Sequence, residues 1–292
     1  MGTFPPVDPK DAAAVAAFVA DGFSRMFPGE DSAWLLAVFG DVVDLFEGRN
    51  ADYSAVDLEY HDLEHTLQAA TCITLLLENR HRAGVVPRIS RREFELAVAA
   101  ALLHDSGYLK LRSDRSGTGA KYTYCHVLRS CAYAATYLPT RGANELEIEI
   151  VLGAISCTGP NREISQMSFR DPIGRVIGNA LATADFLGQM ADPAYPDKLA
   201  VLFREFEEAD AFFHLPLERR TFKSPADLSQ RTPAFWDNFV RRKLEVECQA
   251  LYRFLATPYP HGPNAYIDAV ERNIAEIRRR TAAAAQPPIV AK

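Results

Sequence analysis

The sequence predicts an all-α fold. Apolar residues recur with the 3.6-residue period of amphipathic helices along most of the chain, and runs of strand-like alternation are few. Pro, Gly and Asp residues separate the periodic segments, as expected at helix ends and turns. The 48% content of hydrophobic residues in a chain of 292 is enough to build a sizeable core. The predicted helices cover residues 9–26, 31–47, 60–80, 90–106, 122–138, 143–157, 172–191, 196–211, 234–255 and 264–284.

Two of these helices have clear start signals. Ser90 is followed three residues later by Glu93, a capping-box pattern ahead of the apolar run at 96–103. Asp171 followed by Pro172 combines an N-cap residue with proline at the first helical position. Both helices are therefore expected to begin at defined positions, and both contain candidate site residues.

We predict a single domain, residues 1–292, with three parts: N-terminal helices at about 9–48, a core at about 50–214 and a C-terminal helical extension at about 215–285. The helix predicted at 234–255 has an apolar stripe that fits either the core, which we favour, or a second copy of the chain in a homodimer. The stripe consists of Phe235, Trp236, Phe239, Val240, Leu244, Leu251 and Phe254.

Composition excludes several classes of protein. A net charge of -6 disfavours general nucleic-acid binding, which needs a basic surface. No stretch approaches the roughly 20 apolar residues of a membrane span, so we expect no membrane insertion. The five cysteines include no CxxC pair, which disfavours a disulfide framework or a zinc knuckle and favours a cytoplasmic protein. They are Cys72, Cys125, Cys131, Cys157 and Cys248.

The most informative residues are His104 and Asp105, which follow the apolar run at 96–103. A histidine and a carboxylate buried after such a run need polar partners, and a divalent cation would satisfy both. Upstream, His61 and His65 are four residues apart, so a helix places both imidazoles on one face. The sequence therefore suggests a buried metal centre.

His65, the pair His104-Asp105 and Asp185 follow one another in an H…HD…D order. This pattern resembles the HD-domain superfamily of metal-dependent phosphohydrolases. The segment LLHDSGY around the pair is similar to the family's apolar-HD-small-Gly-aromatic signature. YHDLEH, which ends at His65, resembles the YHNxxH motif of class I cyclic-nucleotide phosphodiesterases, with Asp62 in place of the usual Asn. The resemblance runs from about residue 60 to 185 and implies an HD-domain multi-helix bundle, to which the N- and C-terminal helices are additions.

The resemblance also implies roles for individual residues. His65, His104, Asp105 and Asp185 would bind one or two divalent metal ions, and this mixed set of ligands does not distinguish Mn, Zn, Fe, Ni, Co or Mg. Asp105 would lie between two cations. His61 would be the general acid that protonates the leaving alkoxide, the alternative being a solvent-facing histidine.

Five further residues are weaker candidates. The resemblance implies that His126 contacts substrate or metal, and the alternative is a histidine bonded to backbone at a helix start. Residues 110–121 form a basic, glycine-containing segment that could bind phosphate, or could simply be solvated surface. Gln189 lies one helical turn after Asp185 and could contact a base or sugar edge. The candidate substrate residues are Lys110, Arg112, Lys121 and Gln189.

The function implied is hydrolysis of a small phosphate ester, a nucleotide or cyclic nucleotide, by a phosphodiesterase or phosphomonoesterase. HD-GYP and oxygenase-type members usually have two more histidines before the last Asp, and residues 154–159 contain none. This disfavours cyclic-di-GMP hydrolysis and a six-ligand diiron site. Two alternatives stay open: an iron-dependent HD-type oxygenase and a non-catalytic ligand-binding module.

Overall fold

The computed structural model describes residues 4–159 and 162–284, and these residues contain ten α-helices and no β-strand. The all-α prediction is confirmed. Across the same residues, no helix is long and apolar enough to cross a membrane. The helices are α1 (Ala12–Met26), α2 (Ala33–Phe46), α3 (Leu63–Arg82), α4 (Arg91–Leu103), α5 (His126–Tyr137), α6 (Glu145–Ser156), α7 (Pro172–Met190), α8 (Tyr195–Phe212), α9 (Pro225–Phe235) and α10 (Ala265–Ala284).

Both predicted start signals act as caps. Ser90 accepts a hydrogen bond from the Glu93 amide, and the Glu93 carboxylate accepts one from the Ser90 amide, which completes the capping box of α4. The Asp171 carboxylate accepts a hydrogen bond of 2.8 Å from the Ile173 amide at the start of α7. The helix that ends just before His104 and the helix that contains Asp185 therefore begin where the sequence predicts.

The single helix predicted at 234–255 is wrong. Helix α9 begins earlier, at Pro225, and ends at Phe235. Two π-helical turns follow it, at Trp236–Val240 and Lys243–Glu247. Gln249 and Ala250 both have a φ of 54°, in the left-handed region that ends a right-handed helix. A 3₁₀ helix at Leu251–Leu255 follows.

One connected apolar core extends from α1 to α10 and is built around α3, α4 and α7. These three helices are buried along most of their length because their apolar residues are not confined to one stripe. The predicted stripe at 235–254 packs mainly inward: Trp236, Val240 and Leu244 are buried, whereas Phe235 is exposed. The core preference is confirmed for those buried residues, and the homodimer stays a prediction.

Cysteine reactivity gives a direct test of this packing. Cys72, Cys157 and Cys248 are buried, and burial raises the pKa of Cys157 to about 12 and that of Cys248 to about 11. Because the thiolate is the reactive form, we expect a thiol reagent at pH 8 to modify only Cys125 and Cys131 in the native protein. All five should react after denaturation. Rapid modification of a third thiol in the native protein would contradict this packing.

Candidate metal centre

The predicted metal ligands meet in the interior of the bundle. His65 lies in the first turn of α3, His104 and Asp105 follow α4, and Asp185 lies in α7. His65 Nε2 is 3.3 Å from His104 Nε2 and 3.3 Å from Asp185 Oδ1. His104 Nε2 is 3.7 Å from the same Asp185 oxygen. All four side chains are buried, and the His65, His104 and Asp185 cluster can hold a metal ion.

The spacings around His65 Nε2, and an Asp105 oxygen left without a hydrogen bond among the described residues, fit a shared cation. Two atoms that each lie about 2.1 Å from one ion are roughly 3.0–3.4 Å apart when they occupy neighbouring positions around it. Asp105 Oδ2 is 3.2 Å from His65 Nε2 and 3.4 Å from His104 Nε2. This oxygen is also buried without a hydrogen bond from the described part of the chain. A cation would satisfy it, which removes the cost of burying a bare carboxylate oxygen.

The local structure points the Nε2 lone pair of His104 at the cluster. His104 Nδ1 lies 2.7 Å from the Ala101 carbonyl oxygen and donates to it, so Nε2 is the unprotonated nitrogen. Although burial opposes it, the carboxylates of Asp105 and Asp185 raise the pKa of His65 to about 10. The nearby histidines in turn hold the pKa values of both carboxyl groups below the usual range, again against burial. Without a cation, a proton on His65 therefore partly neutralises the site, and metal binding would displace it.

Asp62, the departure from the phosphodiesterase motif, caps α3. Its carboxylate accepts a hydrogen bond of 2.9 Å from the His65 amide. Asp and Asn serve about equally well at this position of a helix, so the exchange preserves the start of α3. The placement of His65 therefore does not depend on the usual Asn.

His61 lies beside the cluster and is held by a carboxylate from α8. Its Nδ1 is 2.6 Å from Glu205 Oε2, and the other Glu205 oxygen accepts a hydrogen bond of 2.9 Å from the Tyr60 amide. The His61 and His65 rings are perpendicular, with centroids 5.7 Å apart. Sequence reasoning missed Glu205, because it lies in the acidic stretch 205–210, which resembles a solvated helix face.

His126 also lies beside the cluster and, like His61, packs against Tyr108. The Tyr108 ring stacks on the rings of both His61 and His126 at centroid distances of 4.5 Å. His126 Nδ1 donates to the Thr123 carbonyl oxygen, and Nε2 is 3.7 Å from Asp105 Oδ1. Burial lowers the pKa of His126, which favours the neutral imidazole. The histidine thus has the backbone bond of the alternative interpretation and also lies close to Asp105, while its contact with substrate or metal stays a prediction.

Gly107 allows this close approach of α5. A Cβ atom at residue 107 would lie 2.0 Å from the His126 carbonyl oxygen and 2.7 Å from the Ser130 amide nitrogen. We expect Gly107→Ala to displace His126 and to lower the free energy of unfolding by about 1–3 kcal/mol, as overpacking does. Urea denaturation measures this. Gly40→Ala is the control, because Gly40 lies in α2 with open space around it and should be neutral or stabilising. Equal stability of the two variants would contradict the expected clash.

The basic candidates all have protein partners. Lys110 forms an ion pair of 2.8 Å with Asp57. Lys121 forms one of 2.6 Å with Asp114. The Arg112 guanidinium donates to carbonyl oxygens of residues 48–51. Among the described residues none of these charges pairs with a member of the metal cluster, so a phosphate would have to compete with existing contacts. Their substrate roles stay predictions.

Gln189 lies on the same side of α7 as Asp185, as predicted. Its Nε2 donates to Asp185 Oδ1 at 3.0 Å, and its Oε1 accepts a hydrogen bond of 2.8 Å from the Tyr60 hydroxyl. Both ends of the amide are therefore occupied by protein groups. Its predicted contact with substrate is untested.

The centre is unevenly exposed. The side chains of His61, His126 and Asp185 are 15%, 14% and 12% exposed, whereas those of His65, His104 and Asp105 are at most 4% exposed. A small molecule would therefore meet His61, His126 and Asp185 before the deeper residues.

Comparison with known proteins adds one partial match. A family model described as Npun_R2479-like matches residues 170–255, less than a third of the chain. The segment contains Asp185, Gln189 and Glu205, and it does not extend to the predicted ligands His65, His104 and Asp105. No curated protein matches the chain.

Proposed function

We propose that the protein is a metal-dependent phosphohydrolase of the HD type, acting on a small phosphate ester such as a nucleotide or cyclic nucleotide. The proposal rests on the position of one histidine beside the candidate metal site. A buried cluster able to hold a metal ion lies beside a histidine, His61, whose Nδ1 is held by Glu205. A cation site next to an oriented proton donor is what hydrolysis of a phosphate ester requires.

His65, His104, Asp105 and Asp185 would hold the ion. A bound divalent ion supplies neutralising charge for the phosphate and a water molecule whose pKa is lowered. The two oxygens of Asp105 face different histidines, since Oδ2 lies near His65 and His104 and Oδ1 lies near His126. This arrangement also suits a carboxylate between two cations. The same ligand set leaves the identity of the metal open among Mn, Zn, Fe, Ni, Co and Mg.

The chain's own contribution to the chemistry is a proton. Because Glu205 engages Nδ1 of His61, Nε2 is the ring atom left to transfer a proton to the leaving alkoxide. The carboxylate fixes the ring orientation. Tyr108 stacks against the ring and limits its rotation.

Two exposed aromatic residues are compatible with a substrate that has a base. Tyr124, two positions before His126 in the sequence, packs edge to face with Phe213 at a centroid distance of 5.5 Å. Both residues are more than two-fifths exposed. Exposed rings of this kind can stack on a nucleobase without distinguishing one base from another.

The test is hydrolysis by metal-stripped protein refilled separately with Mn, Zn, Ni, Co, Mg and Fe. The substrates are a generic phosphodiester, a generic phosphomonoester and a panel of nucleotides and cyclic nucleotides. Metal-dependent release of alcohol or phosphate is expected. Stoichiometric metal binding without turnover would reject the hydrolase. Oxygen consumption confined to the iron-loaded protein would indicate an oxygenase instead, and binding of a nucleotide with no reaction would indicate a ligand-binding module.

A further inference from the structure

Gln189 is placed between a metal ligand and a buried tyrosine. Its Nε2 donates to Asp185 Oδ1, the oxygen that faces His65 and His104, at 3.0 Å, and also to the Asp185 carbonyl oxygen at 3.1 Å. Its Oε1 accepts from the Tyr60 hydroxyl at 2.8 Å. The two ends of an amide are not interchangeable, because one donates and the other accepts. Asp185 offers only acceptors here, so the NH₂ group faces Asp185, and the Tyr60 hydroxyl anchors the other end of the amide by donating to Oε1.

Tyr60 also contacts the residue that holds His61. Its backbone amide donates to Glu205 Oε1 at 2.9 Å, while Glu205 Oε2 is 2.6 Å from His61 Nδ1. The Tyr60 side chain is buried, with a relative exposure of 3%. One residue thus connects by its side chain to the metal ligand from α7 and by its backbone to the histidine beside the cluster.

We propose that Gln189 and Tyr60 are positioning residues for the metal centre, and that they act in series: Tyr60 fixes the Gln189 amide, and Gln189 fixes Asp185. The inference rests on the proposed metal-dependent function for its purpose, but its test measures metal binding and needs no turnover. It assigns Gln189 a role other than contact with a base or sugar. Partners that orient a ligand in this way typically contribute 10–100-fold to metal affinity.

The experiment compares metal affinity in four proteins by competition with a fluorescent chelator: the wild type, Gln189→Leu, Tyr60→Phe and the double variant. Gln189→Leu should weaken binding about 10–100-fold. Tyr60→Phe should weaken it less, since Gln189 can still donate to Asp185. If the two act in series, the double variant should bind no more weakly than Gln189→Leu, because removing the hydroxyl has no further effect once the amide is absent.

Tyr266→Phe is the matched control. Tyr266 is a buried tyrosine on α10 that lies outside this set of contacts, so removing its hydroxyl should leave metal affinity unchanged. A second readout separates positioning from general loss of structure. In cobalt-loaded protein the visible absorption of the ion should change in Gln189→Leu and stay constant in Tyr266→Phe.

Normal affinity and an unchanged cobalt spectrum in Gln189→Leu would overturn the proposal. If the same variant raised KM for a nucleotide, Gln189 would be a substrate contact. Additive losses in the double variant would overturn the serial arrangement. Failure of the phosphohydrolase is a separate result: wild-type protein would then bind metal, with the expected order of affinities among the variants, and hydrolyse none of the phosphate esters.

Discussion

Asp105→Ala is expected to abolish metal-dependent turnover and most of the metal binding. Asp105 Oδ2 lies within 3.4 Å of both His65 Nε2 and His104 Nε2, and it has no hydrogen bond from the rest of the described chain. It is thus the oxygen that depends most on a cation. Metal content after dialysis and hydrolysis of the generic phosphodiester measure the two losses.

The gain in folding stability on adding metal tests the same variant independently. A ligand present at 100 times its Kd stabilises the folded state by about 2.7 kcal/mol, and this gain should be seen when metal is added to the wild type. Asp105→Ala should show little of it. If Asp105→Ala does not fold, Asp105→Asn retains the shape and removes the charge. Full metal-induced stabilisation in both variants would exclude Asp105 as a ligand.

The sequence predicted that the four candidate ligands lie close together, because their positions are set by local order. His104 and Asp105 terminate an apolar helix with a capping box at its start, and Asp185 lies on a helix started by Asp171. Burial of both helices follows from apolar residues around most of their circumference. The convergence of α3, α4 and α7 on one point then brings the side chains together. The resemblance to HD proteins implied the same four residues as candidate ligands.

Glu205 and the occupied basic residues could not be predicted in the same way. Glu205 contacts His61 across 144 positions of sequence, and nothing in the acidic stretch around it distinguishes the buried carboxylate from exposed neighbours. The sequence offered Lys110 and Lys121 as cations that could bind phosphate, but they form ion pairs with Asp57 and Asp114. Pairings of this kind depend on tertiary packing, which neither periodicity nor charge counts report.

The segment after α9 shows a second limit. An apolar stripe predicted one regular helix at 234–255, but two π-helical turns and the left-handed residues Gln249 and Ala250 interrupt the regular hydrogen bonding. The stripe still packs inward through Trp236 and Val240. Burial was therefore easier to predict than the exact helical form, since burial depends on the spacing of apolar residues and tolerates irregular turns.

His61→Ala is expected to lower kcat by about 10²–10⁴-fold while metal content stays constant, because general acids contribute in this range. The size of the loss should depend on the leaving group. An alkoxide needs a proton to leave, so a nucleoside or alkyl ester should suffer the full loss. An activated nitrophenyl ester releases a stable anion and should suffer little. Rates for the two classes, with metal content determined on each sample, make the measurement.

Glu205→Gln tests the orientation of the same histidine. The amide can still contact His61 Nδ1, but it is a neutral partner in place of a carboxylate and forms a weaker hydrogen bond, so an intermediate loss with the same leaving-group dependence is expected. Glu207→Gln, on an exposed face of the same helix, is the matched control and should behave as wild type.

Loss of metal from His61→Ala would make His61 a ligand. Equal losses for alkyl and nitrophenyl esters would exclude proton donation, because that role is confined to leaving groups that need a proton.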